Sequence, residues 1–500
     1  MTGDPGKIRK IVICGGGTAG WMAAAALARM LGTSQVAITL IESSDIGTVG
    51  VGEATIPPIL QFNQMLGLDE AAFMKATGAT YKLGIEFVDW LRPGHRYMHP
   101  FGLFGADMNE ISFHHYWLRA VSLGMSDDLM RFNAEMMAAY AGRFARTGGN
   151  QPNGPRIYYA YQFDAAAYAA LLRDYSEKLG VERIDARIAD VTRRETNGYI
   201  EAVQLEDGRI IEGDFFIDCT GFRALLIGKA LGSEYEDWSR WLPCNRAVAV
   251  PCARSEDPHP FTRTTARSAG WQWRIPLQHR TGNGTVYCDA FAEQQTIVDE
   301  LVASLDGEQL ADPNPLRFVA GRRRASWVGN CLAVGLSSGF LEPLESTSIH
   351  LIQTAITWFL SFFPGRDVDP GIIDRFNTDM DVQVSGIRDF IVSHYKLTER
   401  NDSEFWRYCR AMSIPDSLAQ RIDHFERRGE VFARHGELFK EANWFAVLYG
   451  QGVRPKGWHP MADQMPADQL KHNMEQIAAI LASRVDGMPP HRVSLGEGGG

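Results

Sequence analysis

Hydrophobic and polar positions change period several times along this chain, and each change predicts an element. The apolar run Ile11-Val12-Ile13-Cys14 reads as a strand, meets the glycines of Gly15-Gly16-Gly17-Thr18-Ala19-Gly20, and passes into an alanine-rich helical stretch that lasts to Arg29. A second strand, Ile38 to Ile41, ends in Glu42. Tyr81 to Phe87 alternates with period two, which sets Tyr81, Leu83, Ile85 and Phe87 on one face and Lys82, Gly84 and Glu86 on the other. Taken alone, that pattern makes Lys82 a solvated lysine on a strand face. Helical spacing between residues 111 and 146 puts Leu129, Phe132, Met136, Met137 and Tyr140 on one stripe, before a turn-rich cluster at 147–155.

The second half follows the same logic. Asp207-Gly208 closes a hairpin, and the apolar strand ending at Asp218 leads into the small turn Cys219-Thr220-Gly221. Residues 240–290 are β-rich, and within them Trp271 and Trp273, two apart on one strand, project to the same face before Pro276 ends the pairing. A strand from Cys331 to Gly335 opens into a loop holding Pro343, Leu344, Glu345, Ser346 and Thr347, and a helix continues through Ile349, Ile352, Ile356 and Phe359. Proline, glutamate and hydroxyls ahead of a helix N-terminus make an anion and carboxylate site. From 371 to 486 the pattern is helical, broken by the aromatic stretch Phe439 to Gly452; residues 487–500 read as a disordered tail.

The first of these patterns carries chemistry. A strand, G-x-G-x-x-G, a helix, and an acid about 20 residues on form a βαβ dinucleotide site. Gly15 serves the tight turn, Gly17 the close approach of a diphosphate to backbone N–H groups, and Gly20 the packing of helix on strand. The diphosphate would sit on the helix N-terminus and Glu42 would take the ribose hydroxyls. Lys7, Arg9 and Lys10 before an apolar run also resemble a signal peptide, a reading that the glycine triplet and the strand ending in Glu42 oppose. The motif alone leaves FAD and NAD open.

Composition narrows the classes. With 45% hydrophobic and 22% charged residues among 500, the chain is an ordinary soluble globular one, large enough for an α/β core plus an appended unit. A net charge of −10 argues against nucleic acid and anionic membranes as partners. Seven cysteines scattered singly, without C-x-x-C, fit a reducing cytoplasm and argue against structural zinc. His95 and His99 have ligand-like spacing, but Pro93, Gly94 and Pro100 disfavour a helix there, so no metal site is expected.

Trp271-x-Trp273-x-Ile275-Pro276, taken with the N-terminal glycine motif, resembles the flavin-dependent halogenases of the tryptophan-halogenase family. Gly50-Val-Gly52-Glu53-Ala54-Thr55, Ala79-Thr-Tyr-Lys82, His99-Pro-Phe101-Gly102, Asp218-Cys-Thr-Gly221 and Pro343-Leu-Glu345-Ser-Thr347 follow in the family's order. The resemblance implies an α/β, Rossmann-like oxygenase fold similar to flavin hydroxylases, with an FAD-binding core over 1–370, an inserted helical segment at 105–150, and a helical substrate-binding part over 371–486. FAD would arrive as FADH2 from a separate NAD(P)H-dependent flavin reductase, with O2 and bromide or chloride as co-substrates. A homodimer is compatible with it.

By position, Lys82 resembles the family's essential lysine, which would hold hypohalous acid made from a flavin hydroperoxide and aim it at one ring carbon. Glu345 resembles the essential glutamate, which would stabilise the cationic ring intermediate and take its proton. Thr347 and Ser348 are the candidates for halide, Ser348 standing where the family usually has glycine. Besides Gly15, Gly17, Gly20 and Glu42, the flavin would rest on Thr18, Ala19, Gly335 and Leu344, under a strap from Ser44 to Glu53 that includes Gly52, Glu53 and Ala54. Trp271, Trp273, Ile275, Pro276 and Ser346 would separate flavin from substrate and line the path between them. His99 and Phe101 would wall the aromatic pocket. Tryptophan-specific members grip the amino acid with paired tyrosines and a glutamate where this chain has Trp444, Phe445 and Gln451. The neutral Gln451 points to indole or another electron-rich aromatic in place of free tryptophan. A flavin-dependent aromatic hydroxylase and a non-catalytic flavin-binding redox sensor are the alternatives.

Overall fold

The computed structural model describes residues 6–45, 52–125, 127–146 and 157–496. They gather into two compact units built from interleaved stretches of chain, one from Met1–Ala79, Phe163–Asn245 and Arg317–Val384, the other from Thr80–Gln162, Arg246–Leu316 and Ser385–Gly500.

The first unit is organised on a six-stranded sheet in the order Trp327–Val328, Cys331–Ala333, Phe215–Asp218, Lys10–Cys14, Ala37–Glu42, Glu182–Asp185. All neighbours run parallel except the short Trp327–Val328 edge. Lys10–Cys14 is central and buried, so the apolar run that resembled a signal peptide is a core strand. Its residues serve both faces: Val12 and Cys14 join Ile41, Ile184, Phe216 and Leu226 in one cluster, and Ile11 and Ile13 point the other way, equally buried. That is the signature of a parallel sheet covered on both sides. The hairpin at Asp207-Gly208 forms, with Ile200–Leu205 antiparallel to Ile210–Glu212.

The second unit holds a seven-stranded sheet in the order Asn314–Arg317, Arg246–Ala253, Arg280–Tyr287, Gly270–Pro276, Thr262–Arg267, Gly84–Val88, Arg96–Pro100. Tyr81 to Phe87 is two strands. Thr80–Lys82 pairs with the strand that begins at Ala160, the chain breaks at Leu83, whose N–H donates to Pro260, and Gly84–Val88 joins the large sheet. Both faces are covered, so Lys82, expected in solvent, is fully buried.

The single helix expected over 111–146 is three pieces, Phe113–Ser122, the 3-10 turn Leu129–Phe132, and Ala134–Tyr140. Asp128 and Asn133 accept hydrogen bonds from Met130 and Met136 N–H groups and start the second and third pieces separately. The stripe breaks with them, and Tyr140 is 42% exposed. The tail is shorter than expected. His491–Ser494 is helical, His491 is buried with Nδ1 2.7 Å from the Pro258 carbonyl, and Arg143 donates to the Met488 carbonyl. Among the described residues no helix is long and apolar enough to cross a membrane.

Candidate active site

The glycine motif folds into a corner that a side chain could not enter. Gly15 sits at φ +111°, and a Cβ there would lie 2.1 Å from the Cys219 carbonyl oxygen; one on Gly20 would lie 1.8 Å from the Gly15 oxygen. On Gly17 a Cβ would meet nothing, so the face reserved for a diphosphate is open. Gly17 caps the helix Thr18–Leu31 without a side-chain bond, which leaves the first amides, those of Thr18, Ala19 and Gly20, to a ligand. Beside them is a cavity of about 180 Å³ lined by Gly16, Thr18, Trp21, Glu42, Arg173 and alanines of the helix Ala165–Lys178. Glu42 is already oriented: Arg183 Nε donates to its Oε1 at 2.5 Å and the Trp21 indole N–H to its Oε2 at 3.3 Å. An open glycine face, free helix amides and a fixed carboxylate fit the diphosphate and ribose of a dinucleotide. Trp21, Arg173 and Arg183 escaped the sequence analysis. Arg183 reaches Glu42 only because its strand pairs in register with Ala37–Glu42, 141 positions away.

The same unit carries the loop before the helix Ser348–Ser361. Leu344, Glu345, Ser346 and Thr347 are all buried, and Ser346 takes the left-handed φ of +58°. For a residue with a Cβ that conformation is strained, a feature that clusters at functional sites. Thr347 caps the helix without a side-chain bond, and its buried Oγ1 has no hydrogen-bond partner among the described residues. Gly335, at φ +75°, approaches Ala19, which brings this loop's strand to the start of the first helix. Gly52, Glu53 and Ala54 form a short strand; residues 46–51 of the expected strap lie outside the described residues.

In the second unit, Trp271 and Trp273 are buried on one face of Gly270–Pro276, ring centroids 6.2 Å apart, and Ile275 and Pro276 complete the strand. Gly284 stands opposite Trp273, where a Cβ would fall 2.0 Å from the indole. Lys82 directs its ammonium over the Phe101 ring, 5.3 Å from the centroid, a cation–π contact. His99 is 2% exposed between Phe390 and Phe439, at centroid distances of 5.2 and 5.8 Å, with Nε2 3.0 Å from Asn443 Nδ2.

Trp444 and Phe445 diverge on the helix Glu441–Gly450. Trp444 packs edge-on to Phe390 and stacks on the Arg421 guanidinium at 4.2 Å, whereas Phe445 enters a separate nest with Phe104, Trp117 and Phe425. The structure therefore brings Trp444, but not Phe445, to the ring that flanks His99. Gln451, just past the helix, donates to the His394 carbonyl at 2.8 Å, and its buried Oε1 has no partner among the described residues. His114, His115 and Glu441 could together hold a metal ion. Their donors are engaged: the His114 ring nitrogen lies 2.9 Å from the Gly429 carbonyl, His115 Nδ1 accepts from His459 N–H, and Ser112 donates to Glu441. Burial lowers His115 to about 3.

The parallel sheet and the glycine corner define an α/β fold of the dinucleotide-binding class. The tryptophan halogenase family model matches residues 10–467, and the chain belongs to that family: it is a flavin-dependent halogenase, with a Rossmann-like FAD-binding fold. A flavin-dependent halogenase from Xanthomonas campestris superposes with a TM-score of 0.94 at 47% identity, covering 98% of either chain. BrvH, a flavin-dependent halogenase from Brevundimonas sp. BAL3, gives a TM-score of 0.94 at 44% identity over 99% of this chain and 100% of that one. Tryptophan 7-halogenase RebH of Lentzea aerocolonigenes is 34% identical over 518 residues, 96% of each chain.

Proposed function

We propose that this enzyme halogenates an electron-rich aromatic of indole type, and that free tryptophan is a poor substrate. The observation that carries this reading is Lys82, a lysine withdrawn completely from water and held over an aromatic ring beside His99. Burying a charge is costly unless it is paired, so a fully buried lysine over an aromatic ring is a group kept for a specific interaction. Gly15 to Gly20 and Glu42 would hold FAD; reduced by a separate flavin reductase, it would supply with O2 the oxidising equivalents that convert bromide or chloride to hypohalous acid. The Lys82 ammonium donates a hydrogen bond to that acid and fixes its halogen against one ring carbon. As the carbon–halogen bond forms, the O–X bond would break and the departing hydroxide would take a proton from the Lys82 ammonium to leave as water. Glu345 would balance the positive ring and accept its displaced proton, and exchange with solvent would return a proton to Lys82. Thr347 and Ser348, at the start of their helix, hold halide.

Gln451 supports the choice of substrate. A glutamate there would offer an ammonium a charge-assisted bond worth roughly 1.5–3 kcal/mol, which the neutral amide lacks. Trp444 and Phe445, packed into aromatic nests, carry no hydroxyl for a carboxylate.

The test is mass spectrometry of products from purified protein with FAD, NADH, a flavin reductase and air, supplied with bromide or chloride, on indole and tryptophan in parallel. Lys82→Ala and catalase controls exclude free hypohalite. A halogen isotope pattern on indole, absent in the variant, is expected. Efficient turnover of tryptophan with none of indole overturns the substrate reading, and an oxygenated product without halogen overturns the chemistry.

A further inference from the structure

We propose that Asn443 is a positioning residue that fixes the tautomer and orientation of the His99 ring; the proposal rests on the pocket reading above. The argument is a chain of donors. The Lys440 N–H donates to Asn443 Oδ1 at 2.8 Å, a reach-back bond at the start of the helix. That orients the amide: its oxygen is committed to an N–H, so its NH2 faces away, with Nδ2 3.0 Å from His99 Nε2. An amide NH2 can only donate, so His99 Nε2 must accept and can carry no proton. The ring proton then belongs on Nδ1, and a second proton would set N–H against N–H. His99 is thereby held as the Nδ1–H tautomer in a buried aromatic sleeve.

The other ionisable groups on the surrounding elements have partners of their own. Asp389 is held by Arg388 and Ser417, Glu441 by Ser112, Arg421 by Glu437, and Glu86 on the neighbouring strand by Arg263. His394 shares a hydrogen bond with the Tyr97 hydroxyl, Lys440 is exposed, and Lys82 lies over Phe101, two residues beyond His99. The tautomer matters because it fixes the orientation in which the imidazole is presented to an aromatic substrate. Asn443 thus acts through His99, without a role in bond making.

The decisive variant is Asn443→Asp. Aspartate keeps an acceptor for the Lys440 N–H, so the helix start survives, but it presents a carboxylate to Nε2 and calls for a proton there. In histidine-selective 15N NMR of the full chain, with His99→Gln used to assign the signal, native His99 should show Nε2 unprotonated and Nδ1 protonated at about pH 7.5. In Asn443→Asp, whose carboxylate can only accept, the ring proton should move to Nε2 at the same pH. Indole halogenation by this variant should lose about tenfold in kcat, with KM within about threefold. If Asn443→Asp does not fold, Asn443→Ser removes the donor and should let His99 populate both tautomers. A purely structural role predicts that Asn443→Asp behaves as the native enzyme. That result, a native His99 protonated on Nε2, or an unchanged tautomer in Asn443→Ser overturns the proposal. The NMR arm needs no turnover, so a native protein that leaves indole unhalogenated but holds the Nδ1–H form would sink the indole reading and leave Asn443 standing.

Discussion

The dinucleotide corner and the aromatic cluster around His99 are built on opposite principles. In the corner, backbone does the work: glycines from one short stretch clear a surface, a helix turns its amides toward it, and only Glu42 and its holders are distant side chains. In the cluster, side chains far apart in sequence do it. His99 meets Phe390, Phe439 and Asn443, the last 344 positions away. A backbone site tolerates little change at its glycines and much elsewhere, whereas a site of side chains can be retuned one residue at a time. The tryptophan strand lies between these cases, with an indole seated on the missing Cβ of a cross-strand glycine.

The sharpest break of this contrast comes from Lys82→Met, which keeps volume and removes charge. Halogenation should fall by on the order of 10³-fold while flavin binding is unchanged. Product formation and flavin retention by absorbance check both halves, and loss of flavin would mean that the lysine is structural. Gly15→Ala should do the reverse. Its methyl would sit 2.1 Å from the Cys219 oxygen in a left-handed backbone, so about 3 kcal/mol of stability and most flavin binding should vanish. Thermal unfolding and flavin titration measure these, and a stable, flavin-replete alanine variant would show that the corner can rearrange.

A third prediction concerns Glu135, whose carboxylate lies against Gly102, next to Phe101. Burial raises its carboxyl to about 7, against the lowering bond from the Tyr158 N–H. Because the folded value exceeds the unfolded one, stability is whole below about pH 4.5 and declines as pH climbs through about 7. Glu135→Gln stays neutral and keeps an oxygen for Tyr158. It should therefore be more stable than the native chain by about 1–3 kcal/mol at pH 8 and equal to it at pH 4.5. His350, lowered by burial to about 4, contributes with the opposite sense, its stability being lost as pH falls from 6.5. Denaturation midpoints across pH should thus show Glu135→Gln flattening the alkaline limb alone.

The contrast also explains what could be read without coordinates. The corner was legible because its signal is contiguous: four apolar residues, three spaced glycines and an acid at the end of the next strand. The loop at Glu345 and the strand of Trp271 and Trp273 were legible for the same reason. Lys82 was misplaced by periodicity, since alternation tells which residues share a face but not that the other face is covered too. The helix over 111–146 failed because two capping side chains, Asp128 and Asn133, outweighed an apolar stripe that looked continuous. Phe445 parts from Trp444 by one step of 100° around a helix, and only the packing of Trp117 and Phe425 says which of the two turns away from the rings around His99. Asn443 carries no motif at all.

The smallest effect tests whether the corner depends on side chains at all. Arg183 bridges Glu42 and Asp185, and Asp185 in turn receives the Ser44 N–H at 3.0 Å, so one guanidinium ties the acid of the second strand to the residue that opens the next loop. If Glu42 takes the ribose, its value depends on being held in place before the ligand arrives. Arg183→Gln removes the charge and leaves the glycines, helix amides and cavity untouched. FAD and ADP affinity should then drop about 3–10-fold together, because both carry that ribose, and turnover at saturating flavin should not change. A loss in FAD affinity with ADP unaffected would place the arginine's influence beyond the ribose. No loss in either would make the corner a backbone site throughout.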